Sequence, residues 1–253
     1  MNHTRIDQFF ESTLLEAAKV CRTFLAESPL EVTKKSDGQY ITALDHHMDQ
    51  WFKNHLLTCY PDHHWISEES QSIGQPGKGM TWLVDPIDGT KYLVQRGEDY
   101  TMVMALLDGS RVCATGVINP QSGAYWVSTN DEQVVHFSQD ESKFKGTILV
   151  SHTTKQIHFS AQPLMYAMGS IAQRICVCVT QHGLAALSFH ALPVWDVLPA
   201  AYIATRYGYG VYDLAGEPYD LVYEGQWRMR KGLVVVKASN KEKVFEIIGQ
   251  RRI

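Results

Sequence analysis

The chain has 253 residues, of which 45% are hydrophobic and 20% charged, and a formal net charge of −4. That is the profile of an ordinary globular protein with room for a sizeable core, as one large domain or two small ones. The acidic balance argues against a nucleic-acid polymer or an acidic membrane surface as partner, because either requires a basic field.

In chain order, residues 4–27 place Ile6, Phe9, Phe10, Leu14, Ala17, Cys21, Phe24 and Leu25 at helical spacing, and Pro29 stops the helix. Arg5, Asp7, Glu11, Glu16 and Lys19 interrupt this stretch too often for a secretory signal. No apolar run in the chain approaches the roughly 18 residues of a membrane span, so a cytoplasmic protein is expected. A second helix is predicted from Thr42 to Leu57, with Leu44, Met48, Trp51, Phe52 and Leu56 as its buried stripe and Thr42 as its cap.

The sequence then turns β-rich. Trp82–Val84, Thr101–Leu107, Val112–Ile118 and Ala124–Val127 are short apolar runs separated by turn residues, the pattern of an antiparallel meander. A polar stretch from Ser128 to Gly146 reads as the boundary between an N-terminal half, 1–145, and a C-terminal half, 146–253. In the second half, Thr147–Val150, Leu184–Phe189 and Leu233–Lys237 read as strands. Ser170–Thr180, Val194–Thr205 and Lys241–Ile248 read as helices, the last capped by Ser239 or Asn240. Cys176 and Cys178 fall in an apolar run with the wrong spacing for a zinc knuckle. They read, with the other three of five cysteines, as reduced thiols. Mixed runs of both types imply helices covering sheets in a layered α/β arrangement.

The informative stretch is Trp82-Leu83-Val84-Asp85-Pro86-Ile87-Asp88-Gly89-Thr90. An apolar strand, closed by the Pro and Gly, delivers two carboxylates three residues apart beside a Gly-Thr turn. Such a group suits a hard divalent cation and an approaching phosphate. Further acids stand where apolar elements begin or end: Glu68-Glu69, Asp196 before a helix, and Asp45 with Asp49 one turn later. Seating two magnesium ions needs several such carboxylates, at least one of them bridging. Each alone has a plainer reading: a turn for Asp-Pro and Asp-Gly, a solvated surface for Glu68-Glu69, a helix N-cap for Asp196.

Together these pieces resemble the inositol monophosphatase superfamily of magnesium-dependent, lithium-sensitive phosphatases. Asp85 to Thr90 matches its Asp-Pro-Ile/Leu-Asp-Gly-Thr signature. Trp195-Asp196-Val197-Leu198-Pro199-Ala200-Ala201 matches its second signature except at Pro199. Ser67-Glu68-Glu69 stands for its Gly-Glu-Glu, Lys35 to Asp45 for its N-terminal motif, and Gly169-Ser170 for its Gly-Ser before a helix. The resemblance implies an α-β-α-β-α layered sandwich with mixed sheets. It implies a first magnesium on Glu68, Asp85 and the Ile87 carbonyl, and a second on Asp85, Asp88 and Asp196. A third, weaker ion near Glu68 is typical of the family. Thr90, bonded to Asp45, would position the attacking water, with Glu68 also in the catalytic group. The Gly89 and Thr90 amides would hold phosphate, as orphan amides at a helix start do on general grounds. Gly169, Ser170, Lys91, Asp88 and Asp196 join the substrate and phosphate contacts, and a homodimer is expected.

The resemblance implies a small phosphorylated metabolite as substrate, with inositol-type monophosphates expected first, 3'(2'),5'-bisphosphate nucleotides second and histidinol phosphate third. Phe189 stands where inositol monophosphatases place a glutamate, and Ser188 where bisphosphate nucleotidases often place an arginine. His190 in the same stretch is a candidate substrate contact, with a packed or exposed histidine the plainer reading. Lys91 and Arg174 read as solvated helix side chains, each with contact to a phosphate as the alternative. A non-catalytic protein that binds a phosphometabolite or a partner protein is the rival class.

Overall fold

The computed structural model describes residues 5–36, 38–75, 77–130, 133–136, 143–154, 158–223, 225, 228–229, 231–249 and 251–252. Residue 4 of the first expected helix, Asp37 of the N-terminal motif and 131–132 and 137–142 of the expected boundary lie outside these.

The chain begins with α1 (Ile6–Glu27), β1 (Val32–Lys34), β2 (Tyr40–Thr42) and α2 (Ala43–Cys59). β3 (His64–Ser67), β4 (Met80–Asp88), α3 (Thr90–Arg96), β5 (Thr101–Asp108), β6 (Arg111–Ile118), β7 (Tyr125–Thr129) and β8 (Gln133–His136) follow. Next come β9 (Ile148–Val150), β10 (His158–Phe159), β11 (Met165–Ala167), α4 (Ile171–Thr180), β12 (Ala185–Ser188), β13 (Leu192–Pro193) and α5 (Val194–Arg206). β14 (Tyr209–Tyr212), β15 (Arg228–Met229), β16 (Leu233–Lys237), α6 (Lys241–Gly249) and β17 (Arg251–Arg252) close it.

One sheet has the order β3-β4-β5-β6-β7-β8, antiparallel except that β3 runs parallel to β4. The other has the order β11-β9-β12-β16-β14, with β9 parallel to both neighbours and the rest antiparallel. α1 and α2 cover one face of the first sheet, α4 and α5 fill the space between the sheets, and α6 packs on β16. This is the expected α-β-α-β-α stack. α1 buries Phe10, Leu14, Ala17 and Cys21, and lies so close to β6 that a Cβ on Gly116 would come within 2.7 Å of Leu14. Each fully buried side chain of the size of Phe10 or Leu14 contributes about 1.5–3 kcal/mol.

Three local departures from the sequence reading matter for the site. β4 does not stop at Val84. It continues through Asp85, Pro86 and Ile87 to Asp88, with a register shift between Asp85 and Asp88 against β5. The turn reading of Asp-Pro is therefore replaced by a bulge, which tolerates a proline because it breaks the ladder there, and which re-aims the side chains around it. The β1–β2 hairpin was not anticipated, and β8 occupies part of the stretch read as a polar boundary. The predicted helices form with ends shifted by no more than a residue or two: Thr42 caps α2 in a full capping box with Asp45, and Ser170 caps rather than starts α4. Among the described residues no helix is long and apolar enough to cross a membrane.

Candidate active site

Four elements deliver the acids to one place. Glu68 follows the end of β3, Asp85 and Asp88 flank the bulge of β4, Asp45 lies in the first turn of α2, and Asp196 in the first turn of α5. Pro193, not Asp196, occupies the N-cap of α5, so the capping alternative for Asp196 falls away. A cavity of about 630 Å³ is lined by Glu68, Asp85, Ile87, Asp88, Thr90 and Asp196.

Carboxylate oxygens of Glu68, Asp85 and Asp196 lie within 4.8 Å of one another. Asp85 is 1% exposed, and its Oδ1 accepts from the Ile87 amide at 3.0 Å, while among the described residues no donor hydrogen-bonds its buried Oδ2. Burial, and then the charges of Glu68, Asp196 and Asp88, push the Asp85 carboxyl well above its usual range. Crowded buried carboxylates of this kind are compensated by a cation or by protons. An all-oxygen donor set with an unserved buried oxygen fits magnesium. Glu68 is held from both sides and is not the solvated surface residue its sequence context suggests. Lys35 Nζ approaches its Oε1 at 2.9 Å and Glu69 Oε1 at 2.7 Å, and Trp195 Nε1 donates to its Oε2 at 3.0 Å. Neither Lys35 nor the Trp195 indole stands out from sequence alone, although both lie inside the motifs that carry the family resemblance.

Thr90 opens α3 after Gly89, whose φ of +98° places it in the left-handed region. A Cβ there would lie 3.0 Å from the Asp99 carbonyl and 3.3 Å from the Ser170 amide, so glycine alone fits. The Thr90 hydroxyl lies 2.8 Å from Asp45 Oδ1 and 3.0 Å from the Ile87 carbonyl. Asp45 is 1% exposed, also accepts from the Thr42 amide and hydroxyl, and burial raises its pKa. The neighbouring Asp49 is bound by the Ser67 hydroxyl, which ties β3 to α2.

Asp88 lines the cavity but stands outside the three-acid cluster. Its Oδ2 accepts from Ser170 Oγ at 2.6 Å and the Ala172 amide at 2.8 Å. Burial raises its pKa to about 6 against these bonds. Ser170 and Gly169, expected among the phosphate contacts, are buried behind Asp88 and do not line the cavity. Ser170 is fully buried in the cap of α4, and a Cβ on Gly169 would meet the Asp99 carbonyl and the Tyr92 ring at 2.5 Å. Arg174 is corrected as well. It is 3% exposed, not a solvated helix residue, and donates to the Ser170 and Leu187 carbonyls.

The outer cavity wall is formed by Gln39, Tyr40, Lys91, Gln95, Ala191 and Pro193. Lys91 is exposed, as read, yet stands on this wall. Phe189 packs into the core around Phe159, and His190 is exposed and does not line the cavity.

The sequence profile of the inositol monophosphatase family matches residues 3–251. The 3'(2'),5'-bisphosphate nucleotidase CysQ of Escherichia coli K12 is 25% identical over 228 residues, covering 85% of this chain and 93% of that protein. A lithium chloride-soaked inhibitory complex of staphylococcal inositol monophosphatase-1 superimposes with a TM-score of 0.81 at 18% identity, over 100% of this chain and 99% of that one. An IMPase/NADP phosphatase complexed with Mg2+ and phosphate has a TM-score of 0.76 at 18% identity, over 96% and 94%.

Proposed function

The chain belongs to the inositol monophosphatase family, and from that premise we propose that it is a magnesium-dependent phosphomonoesterase acting on a small phosphorylated metabolite. The observation that carries this reading is the convergence of Glu68, Asp85 and Asp196 to within 4.8 Å. In this reading Glu68, Asp85 and the Ile87 carbonyl hold one ion, and Asp85, Asp88 and Asp196 a second. Bound there, magnesium supplies charge neutralisation of the phosphoryl oxygens and acidification of a water. Lithium sensitivity belongs to the same reading.

The rest is done by the chain. Gly89 and Thr90 line the cavity at the start of α3, where backbone amides can face the phosphate. Thr90 Oγ1 gives its proton to Asp45 Oδ1 and is left to accept the proton of the attacking water. Water oxygen bonds to phosphorus, the ester P–O bond breaks in line, and the leaving oxygen takes a proton from solvent and departs as the alcohol. In this reading water, not Thr90 Oγ1, is the nucleophile, and no phosphoenzyme forms.

Sugar and polyol monophosphates are the first substrate class. A specific observation favours a second reading, 3'(2'),5'-bisphosphate nucleotides: Lys91 stands on the cavity wall with no carboxylate partner among the described residues. Phosphate release from inositol 1-phosphate, adenosine 3',5'-bisphosphate, histidinol phosphate and fructose 1,6-bisphosphate, with magnesium or with chelator, tests both. Magnesium-dependent release from one of these supports the phosphatase reading, and release from none rejects it. Preference for the bisphosphate nucleotide selects the second substrate class.

A further inference from the structure

Arg174 lies on the far side of the cavity floor, on the α4 turn that begins at Ser170. We propose that it is a positioning residue of this site, a permanent buried cation whose forked guanidinium fixes where Asp88 stands relative to Asp196. This rests on the phosphatase reading above for its kinetic consequence, though not for its geometry.

Ser170 Oγ and the Ala172 amide, both at the start of α4, hold Asp88 Oδ2. Arg174 Nε donates to the Ser170 carbonyl at 3.3 Å, and Nη1 to the Leu187 carbonyl at 2.9 Å. Leu187 belongs to β12, and the chain runs from that strand through β13 into α5, whose first turn carries Asp196. One side chain therefore ties the turn that grips Asp88 to the strand that feeds Asp196. A buried guanidinium is costly and usually lies against a carboxylate. Arg174 hydrogen-bonds two carbonyls instead; burial disfavours its charged form, and the carboxylates of Asp88 and Asp196 favour it. A planar fork with two fixed donors fits two carbonyls on different elements, which a lysine cannot reproduce. Arg174 itself takes no lone pair of Asp88, whose Oδ2 is already held by Ser170 Oγ and the Ala172 amide.

The test compares the parent with R174K and R174M in two ways: calorimetric titration of metal-free protein with Mg2+, and kcat and KM on whichever substrate the parent hydrolyses. Misplacing one reacting group by about 1 Å costs roughly 100-fold, so R174M should lose about 100-fold in kcat with KM little changed. Mg2+ binding should weaken about tenfold in one binding event while the other stays at the parental affinity, because only one ion is shared between Asp88 and Asp196. R174K, with the charge but one contact fewer, should lose about tenfold in kcat and show the same single-event weakening. Equal weakening of both events, or of neither, overturns the proposal, as does parental behaviour of R174K. If R174M does not fold, R174K alone decides. If the parent releases no phosphate, the functional reading fails, and the calorimetric arm still decides the role of Arg174.

Discussion

Thr90 Oγ1 lies 2.8 Å from Asp45 Oδ1, joining the first residue of α3 to the first turn of α2. The other oxygen of Asp45 takes the Thr42 amide and hydroxyl, so one buried carboxylate both closes a helix cap and orients a hydroxyl toward the cavity.

Removing either partner should stop proton transfer without emptying the site. Thr90→Ala and Asp45→Asn should each lower kcat by about 10²–10⁴ with KM nearly unchanged, and Thr90→Ser should retain most of the activity. Asp45→Asn should also cost roughly 1 kcal/mol of stability, since it weakens the cap of α2. Steady-state kinetics and denaturant melts check both. An active Thr90→Ala enzyme would remove Thr90 from the mechanism.

Ser170 is fully buried and hydrogen-bonded to Asp88, which fits a supporting role better than substrate contact. Its hydroxyl donates to Asp88 Oδ2, accepts from the Gln173 amide at 2.9 Å and lies 2.7 Å from Thr101 Oγ1. Ser170→Ala should therefore lower stability by about 1–3 kcal/mol and weaken Mg2+ binding, while KM for substrate stays near the parental value. A raised KM with unchanged stability and metal affinity would return Ser170 to the substrate contacts.

The metal-free protein should become less stable as pH rises. Burial raises Asp88 from its ordinary 3.8 to about 6, and moves Asp85 in the same direction. A carboxyl raised in the folded state stabilises the fold below its unfolded pKa, and this is lost as pH rises through the folded value. Stability without metal should therefore fall from about pH 4 to above pH 6, and Mg2+ should restore it most at the alkaline end. Thermal melts with chelator and with Mg2+ at several pH values check this: the gap between the two melting temperatures should widen with pH. A constant or narrowing gap contradicts it.

Lys91 offers a test of substrate class that is separate from the chemistry. Lys91→Gln should lower kcat/KM for adenosine 3',5'-bisphosphate by about tenfold, and for inositol 1-phosphate by less than about threefold, if a second phosphate meets this lysine. Equal effects on both substrates would place Lys91 outside recognition.

Helix and strand periodicity made most of the layered fold legible, because α1, α2 and the meander carry regular apolar patterns. The β1–β2 hairpin and β8 were missed because three- and four-residue strands have too few alternations to stand out. The cavity acids Glu68, Asp85, Asp88 and Asp196 were legible through their motifs, as were Thr90 and the buried Asp45 bonded to it. What the sequence hid was direction. Ser170 and Gly169 follow a motif that accompanies phosphate sites, yet the cap of α4 turns both inward onto Asp88 and Asp99. Arg174, one turn on, looked solvated because nothing in α4 itself signals a helix buried on all sides between two sheets. The bulge at Pro86 was likewise invisible, since Asp-Pro reads locally as a turn and only pairing with β5 shows otherwise.

The central claim is that Glu68, Asp85 and Asp196 together hold the cations that drive phosphate release, with Asp85 shared. Mg2+-dependent phosphate release by the parent and by Asp85→Asn, each shown to be folded, measures it most directly. The account predicts release by the parent that chelator abolishes, and a loss of at least about 1,000-fold in Asp85→Asn that excess Mg2+ does not recover. Release that is indifferent to chelator, or an Asp85→Asn variant with near-parental turnover, would contradict it.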